Sequence, residues 1–239
     1  MALDFLLMTV AYDNIKAQTA WCVEKSHLRG LNVFMWGING GDALIGRTRS
    51  VAASNFLEQG PAEYMIFLDS DIVFEPEDLH RLHQNLQKGF DLIGGCYVVK
   101  DGSQLASYGW NGQVKLDGTI QEIEYLATGF MGISKKLLAK IRDELNLPLL
   151  HQNEAATKCW PFFESGARDR PEGRIYISED WHFCDLARKV GVKSHLDTAI
   201  RLGHIGTYGW CMDDLLRVKE QKEKESPRSE MGAEKEKVT

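Results

Sequence analysis

The sequence predicts an α/β protein, a single domain with a mostly parallel central sheet, and three observations carry this prediction. Short apolar runs alternate with segments of helical spacing along the first hundred residues, and Gly, Pro or Asp residues separate them. Alternation of strands and helices is the pattern of a doubly wound sheet. The 239 residues are 44% hydrophobic and 26% charged, which is typical of one sizeable globular domain. No internal repeat or linker divides the sequence.

The first half is predicted to contain four strands and three helices in alternation. Each strand is a short apolar run, whereas each helix has apolar residues three or four positions apart. The strands are predicted at residues 5–11, 32–36, 64–68 and 91–98. The helices are predicted at residues 16–28, 45–59 and 76–88.

The second half has a different texture. Gly and Asp turns within residues 108–124 predict hairpins, and residues 148–173 form a long stretch without clear periodicity. Helices are predicted at 134–145 and 179–190, and a strand at 193–202. Lysine and glutamate are dense near the end of the sequence, so we expect a folded domain at 1–216 and a flexible charged tail at 217–239.

The net charge of −6 comes from 28 Lys and Arg against 34 Asp and Glu residues. Because the tail is nearly neutral, the acidity belongs to the folded domain and disfavours non-specific binding to nucleic acid or membrane surfaces. No run of about 18 apolar residues predicts a membrane span, and the N-terminal segment lacks the basic start of a signal peptide. Five widely spaced cysteines without a Cys-x-x-Cys pair indicate reduced thiols. We therefore expect a cytoplasmic protein.

Two carboxylates follow the third predicted strand. Asp69 and Asp71, separated by Ser70, come directly after the apolar run at 64–68. Ligands of open parallel sheets bind beyond the carboxyl ends of strands, and two carboxylates at such a turn can bind a hard divalent cation while leaving positions open for phosphate. An acidic pair at a turn also serves for capping alone, but the strand directly before it favours the cation site.

Two further signals lie at predicted element boundaries. Asp180 follows Ser178 and Glu179 at the start of a helix, and His204 lies in a Gly-His-Ile-Gly turn after the last strand. The acidic residues also fit an ordinary helix start, and a lone histidine is more often structural than a ligand. The sequence contains no fingerprint of a P-loop, a dinucleotide-binding Rossmann turn, a zinc peptidase or a serine hydrolase.

Taken together, these motifs resemble the GT-A-fold glycosyltransferases, specifically family-2-like enzymes, including short versions carried by viruses and phages. The segments that carry the resemblance are FLDSDIVFEPEDL, SEDWHFCDLARKVG, LGHIG and the Thr-Gly-Phe-Met run at 128–131, and the resemblance spans about residues 6–208. It implies the Rossmann-like fold of nucleotide-diphospho-sugar transferases and metal-dependent transfer of a sugar from a nucleotide sugar, by resemblance a UDP-sugar, to an acceptor hydroxyl. The location implied for a viral chain is the host cytoplasm.

The resemblance also implies roles for the acidic residues and the histidine. Asp71 would bind Mn²⁺ or Mg²⁺, and Asp69 would reach the donor's ribose or the water shell of the metal. His204 would complete this metal site. Asp180 would be the general base that takes the acceptor proton in one inverting step.

The donor-binding residues implied by the resemblance are Thr9, Ala11, Tyr12, Arg47, Arg49, Asp69, Ser70 and Gly129. The first three, at the end of the first strand, would lie against the nucleoside. One of the two arginines would face the diphosphate, although each also fits a structural ion pair. The glycine would let the backbone approach the sugar closely.

The acceptor and two other functions stay open at this point. A glycan or other carbohydrate is the first acceptor expected, and a hydroxymethylated DNA base is the second. One alternative is a metal-dependent phosphohydrolase or nuclease that uses Asp69, Asp71 and His204. The other is a nucleotide-binding module without catalysis. The sequence does not indicate an oligomeric state.

Overall fold

A computed structural model of the chain describes residues 3–30, 34–151, 158–171, 173–206 and 208–225. The helices in these ranges are α1 (Ala17–Leu28), α2 (Ile45–Gln59), α3 (Pro76–Gln87), α4 (Lys135–Glu144), α5 (Glu179–Lys189) and α6 (Met212–Glu225). The strands of the central sheet are β1 (Phe5–Ala11), β2 (Phe34–Gly40), β3 (Tyr64–Asp69), β5 (Leu92–Cys96), β6 (Ile120–Ile123), β7 (Phe130–Ser134) and β12 (Ser194–Arg201). The shorter strands are β4 (Ile72–Val73), β8 (Leu150–His151), β9 (Lys158–Cys159), β10 (Gly166–Arg170), β11 (Gly173–Ile177), β13 (Gly203–Ile205) and β14 (Gly209–Trp210).

The central sheet has the strand order β2-β1-β3-β7-β5-β12-β6. Five of these seven strands run in one direction, and only β7 and β6 run against them. The prediction of an α/β domain with a mostly parallel sheet is therefore confirmed. The carboxyl ends of β1, β3 and β5 consequently meet along one edge of the sheet.

Helices cover both faces of the sheet because successive strand residues point to opposite sides. Leu6 and Phe67 face a core that α2, α4 and α5 complete, with Phe56 and Phe183 among its buried members. Leu7, the next residue of β1, points to the opposite face and packs into a second core beneath α1 and α3. Strands buried on both faces read as continuous apolar runs, which is why the sequence revealed them.

Three sequence expectations differ from the structure. β2 continues to Gly40, through residues expected to form a loop, because it pairs in parallel with β1 along its whole length. The hairpins expected at 108–124 are wrong: this segment contributes one short strand, β6, which pairs with the distant β12. A hairpin of β10 and β11 instead lies partly within the stretch expected to be irregular.

The expected domain boundary after residue 216 falls inside α6. This helix begins with acidic residues in its first turn and anchors Met212 and Leu215 in the core, which favours its continuation to Glu225. Residues 226–239 of the expected tail lie outside the described residues. None of the helices in the described ranges is long and apolar enough to cross a lipid bilayer.

Candidate active site

A cavity of about 400 Å³ opens at the carboxyl edge of the sheet, where β1, β3 and β5 end. The expected site residues that line it are Ala11, Tyr12, Arg49, Asp69, Ser70, Asp71 and Asp180. These side chains come from the ends of two strands, from α2 and from the first turn of α5. The structure therefore brings together most of the residues that the sequence singled out.

Asp71 and His204 are placed beside each other by a small three-stranded sheet. β13 pairs with β4, and the backbone N–H of Ile205 donates to the carbonyl of Asp71 at 2.8 Å. His204 Nδ1 lies 2.7 Å from the carbonyl oxygen of Val98, and because a carbonyl can only accept, Nδ1 carries the hydrogen. His204 Nε2 therefore faces Asp71 Oδ1, at 3.5 Å.

Asp71 also has a lysine neighbour. Lys100 Nζ lies 2.5 Å from Asp71 Oδ2, whereas His204 Nε2 faces Oδ1. Burial alone would raise the pKa of the Asp71 carboxyl, but His204 and Lys100 outweigh burial and hold this pKa below its ordinary value. Asp71 is thus an ionised carboxylate at neutral pH.

The implied Mn²⁺ or Mg²⁺ fits the Asp71 and His204 pair. A metal-binding histidine typically donates its other ring N–H to a backbone carbonyl, as His204 does to Val98. Within the described ranges, no three His, Cys, Asp or Glu side chains converge closely enough to hold a metal by themselves. Phosphate and water would have to complete the coordination shell, as is usual for Mg²⁺ at phosphate sites.

Arg49 is buried and bound to two carboxylates. Its Nη2 donates to Asp69 Oδ1 at 2.6 Å, and its Nη1 donates to Glu179 Oε1. Burial raises the pKa of Glu179 and outweighs the opposite effect of Arg49. Arg47, which does not line this cavity, forms a 2.6 Å ion pair with Asp42. Both arginines are thus engaged in ion pairs, the alternative that the sequence left open.

Asp180 has one carboxylate oxygen held and the other without a partner. Oδ1 accepts hydrogen bonds from Ser178 Oγ and from the backbone N–H of Trp181, the latter at 2.8 Å. Oδ2 has no hydrogen-bonding partner among the described residues. A carboxylate held in this way can accept a proton from a hydroxyl in the cavity without changing its own orientation.

Two expected donor residues lie behind the cavity wall. Thr9 is fully buried, and its hydroxyl accepts a hydrogen bond from Trp36 Nε1 at 2.9 Å. Gly129 is also buried, and its N–H donates to Tyr97 Oη at 2.9 Å. A Cβ at Gly129 would lie 2.5 Å from that oxygen, so the contact with Tyr97 is sufficient to require glycine.

Residues of the site that the sequence reasoning did not assign to it include Tyr97, Thr128, Glu179 and Lys100. Tyr97 and Thr128 line the cavity, and the Thr128 hydroxyl is buried with no partner in the described part of the chain. Tyr97 follows β5, so the rule that ligands bind beyond carboxyl ends of strands could have found it. Nothing local in the sequence marks Lys100, because its contact with Asp71 spans 29 residues of chain.

No family model matches the chain, and no curated protein matches its sequence. Among solved structures, the chain is similar to one titled "Crystal Structure of A197 from STIV". The TM-score is 0.54 at 16% identity, over 84% of this chain and 85% of that chain. At this identity, the similarity bears on the fold alone.

Proposed function

We propose that the chain is a GT-A-fold, metal-dependent glycosyltransferase that moves a sugar from a nucleotide-sugar donor to an acceptor hydroxyl. The observation that carries this proposal is the single cavity into which the Asp69 and Asp71 pair and Asp180 all project. A carboxylate pair suited to a cation and a separate carboxylate with a free oxygen are the two parts that such a transfer needs. The α/β fold with its mostly parallel sheet is consistent with this proposal.

The donor fits the cavity with its diphosphate next to Asp71. Ala11 and Tyr12, at the end of β1, form the side where the nucleoside would lie, and the unpaired hydroxyl of Thr128 is available to a donor oxygen. Asp71 and His204 would hold Mn²⁺ or Mg²⁺. When bound, this cation supplies Lewis-acid neutralisation of the leaving diphosphate.

Asp180 would carry the proton transfer. Its Oδ2 takes the proton of the acceptor hydroxyl as the acceptor oxygen bonds to the anomeric carbon and the bond from that carbon to the diphosphate breaks. Ser178 and the N–H of Trp181 keep Asp180 oriented through Oδ1. A base that acts directly on the acceptor corresponds to a single displacement, so we propose inversion at the anomeric carbon.

The acceptor would approach from a neighbouring cavity of about 600 Å³, which shares Ile45 with the first. Its wall includes the side chains of Leu44 and Tyr176, both largely exposed. An exposed tyrosine ring suits the face of a sugar. We therefore propose a carbohydrate acceptor first, and a hydroxymethylated DNA base second.

The first experiment is a thermal-shift screen of nucleotide sugars with and without Mn²⁺, because a ligand that binds only the folded state raises the melting temperature. We expect one donor to raise it, and to do so more in the presence of Mn²⁺. A screen in which no nucleotide sugar or nucleoside diphosphate shifts the melting temperature contradicts the proposal.

The second experiment separates transfer from the other two functions. Wild-type protein is incubated with the identified donor, Mn²⁺ and a panel of carbohydrate and hydroxymethylated-DNA acceptors, and the products are analysed by mass spectrometry. Sugar on an acceptor supports the proposal. Release of free sugar or cleavage of DNA without transfer favours the phosphohydrolase or nuclease, and binding without any turnover favours the non-catalytic module.

A further inference from the structure

The geometry points to Lys100 as a built-in counter-ion of Asp71 that opposes a divalent cation at the same carboxylate, and so lowers the affinity of the site for metal. This inference rests on the metal site of the proposed function. It adds a residue that competes with the metal, and it can be tested on the protein without a donor or an acceptor.

The two carboxylates of the Asp-Ser-Asp turn are neutralised in different ways. Asp69 is paired with Arg49, whose side chain is only 6% exposed and is also held by Glu179. Asp71 is paired with Lys100, whose side chain is 54% exposed. A buried guanidinium held at both ends cannot leave, whereas an exposed ammonium on a flexible stem can. Only the Asp71 pair is therefore built to exchange its cation.

The backbone around Lys100 is fixed although its side chain is exposed. The carbonyl of Val98 accepts the hydrogen bond of His204, and the N–H of Gly102 donates to the carbonyl of Val99 at 2.9 Å. A methyl group built at Gly206 would lie 3.5 Å from Lys100 Cβ, so the stem of the lysine runs close beside the turn that carries His204. These contacts direct the ammonium group to Asp71 and leave its release to side-chain rotation alone.

Lys100 and a divalent metal compete for Asp71 because both are positively charged and because the protein supplies few ligands to the metal. Asp71 is only 15% exposed and gains a counter-charge from Lys100 when no metal is bound. An ammonium group in contact with Asp71 Oδ2 repels a divalent cation at the same carboxylate. Because the protein supplies few ligands to the metal, loss of full access to Asp71 matters more here than it would in a site with four protein ligands. A metal held by Asp71 Oδ1 and His204 Nε2 must therefore either displace Lys100 from Oδ2 or bind against the repulsion of its ammonium group.

The test compares Mn²⁺ affinity of the wild-type protein with that of Lys100→Met, at one fixed pH, by electron paramagnetic resonance of free Mn²⁺ and by isothermal titration calorimetry. We expect Lys100→Met to bind Mn²⁺ about three- to tenfold more tightly, since an exposed ion pair and a like-charge repulsion are both removed. Lys100→Gln, which keeps a polar end group, should change the affinity in the same direction.

Lys193→Met is the matched control. Lys193 also forms a lysine–carboxylate pair, at 2.6 Å from Glu122, and its side chain is similarly exposed at 63%. It lies directly before β12, whereas His204 lies beyond the other end of that strand. The control removes the same charge, so an equal gain in Mn²⁺ affinity would reveal a general effect of net charge and overturn the inference.

The remaining outcomes separate this inference from the proposed function. Unchanged or weaker Mn²⁺ binding by both Lys100 variants, with measurable binding by the wild type, overturns the role of Lys100 and leaves the metal site standing. Absence of Mn²⁺ binding in the wild type and in both variants, titrated without and with a nucleoside diphosphate that can complete the coordination shell, overturns the metal site itself, and with it the inference. Circular dichroism and melting temperature confirm that each variant is folded before it is titrated.

Discussion

Arg49→Met removes the shared partner of two acidic side chains and leaves both without a counter-charge. The side chain of Arg49 is 6% exposed, and those of Asp69 and Glu179 are 28% and 13% exposed. Methionine has a similar length and is apolar, so it fills most of the space without replacing the charge. The change therefore tests whether Arg49 holds the end of β3 to the start of α5.

The expected loss of stability is about 3 kcal/mol. Removing one partner of a buried ion pair costs about 3–5 kcal/mol, and the partial exposure of Asp69 places this site at the lower end. For a domain of this size, such a loss corresponds to a decrease of about 6–12 °C in melting temperature. Removing one partner of an ion pair on the surface would cause a far smaller loss of stability.

The assay is urea unfolding followed by circular dichroism, with Arg174→Met as the control. Arg174 lies 3.8 Å from Asp169, and both side chains are largely exposed, so its removal should change the free energy of unfolding by less than about 0.5 kcal/mol. If Arg49→Met costs less than about 1 kcal/mol, the buried bridge is not a structural support and the reasoning fails.

The pH dependence of the same variant gives a second check. Burial already raises the pKa of Glu179, and loss of Arg49 removes the influence that holds this pKa down. A carboxyl group with a raised pKa in the folded state stabilises the protein at low pH, and this contribution is lost as the pH rises through that pKa. The deficit of Arg49→Met relative to wild type should therefore be larger at pH 7.5 than at pH 5, and equal deficits would contradict this account.

Three further predictions concern Asp180, Thr128 and Asp197. Asp180→Asn keeps the hydrogen bonds to Oδ1 but cannot accept a proton, so we expect the rate of sugar transfer to decrease by a factor of about 10² or more, with an unchanged donor affinity measured by calorimetry. A near-normal rate of transfer would exclude Asp180 as the base. Thr128→Val removes a buried hydroxyl that has no partner in the described part of the chain, so we expect equal or higher resistance to unfolding by urea, together with weaker nucleotide binding. A marked loss of stability would contradict this prediction. Asp197 is fully buried and accepts hydrogen bonds from Arg81 and Asn85. Asp197→Ala should therefore lower the free energy of unfolding by about 3–5 kcal/mol. A loss under about 1 kcal/mol would show that these hydrogen bonds do not support the fold.

Local periodicity predicted helices α1 to α5 and most of the parallel strands well, but it did not predict α6, which extends into the expected tail. α2 has the expected bounds, because apolar spacing and a following Gly-Pro pair define both of its ends. The sequence analysis did not predict β7, because Phe130–Ser134 is short, contains a glycine and overlaps the Thr-Gly-Phe-Met motif at 128–131. β6 was assigned to a hairpin because nothing in its own residues indicates that its partner is β12, some 70 residues later.

The same distinction between local and distant contacts separates the site residues. That Asp69, Asp71 and Asp180 meet at one edge of the sheet could be predicted, because each lies at the boundary of an element, where ligands of such sheets bind. The partners of Arg49 lie 20 and 130 residues away along the chain, and only the fold reveals that they meet. Lys100 illustrates the same limit, since no local pattern distinguishes it from other exposed lysines.

The antiparallel strand at the centre of the sheet has a consequence for synthesis on the ribosome. Once residues up to 134 have emerged, β2, β1, β3, β7 and β5 can pair, but β6 must wait for β12, its partner in the described sheet. Asp180 and His204 also belong to the last third of the chain. A nascent chain can thus form much of its sheet while it still lacks the proposed base and the metal-binding histidine, so binding competence should appear only when folding is nearly complete.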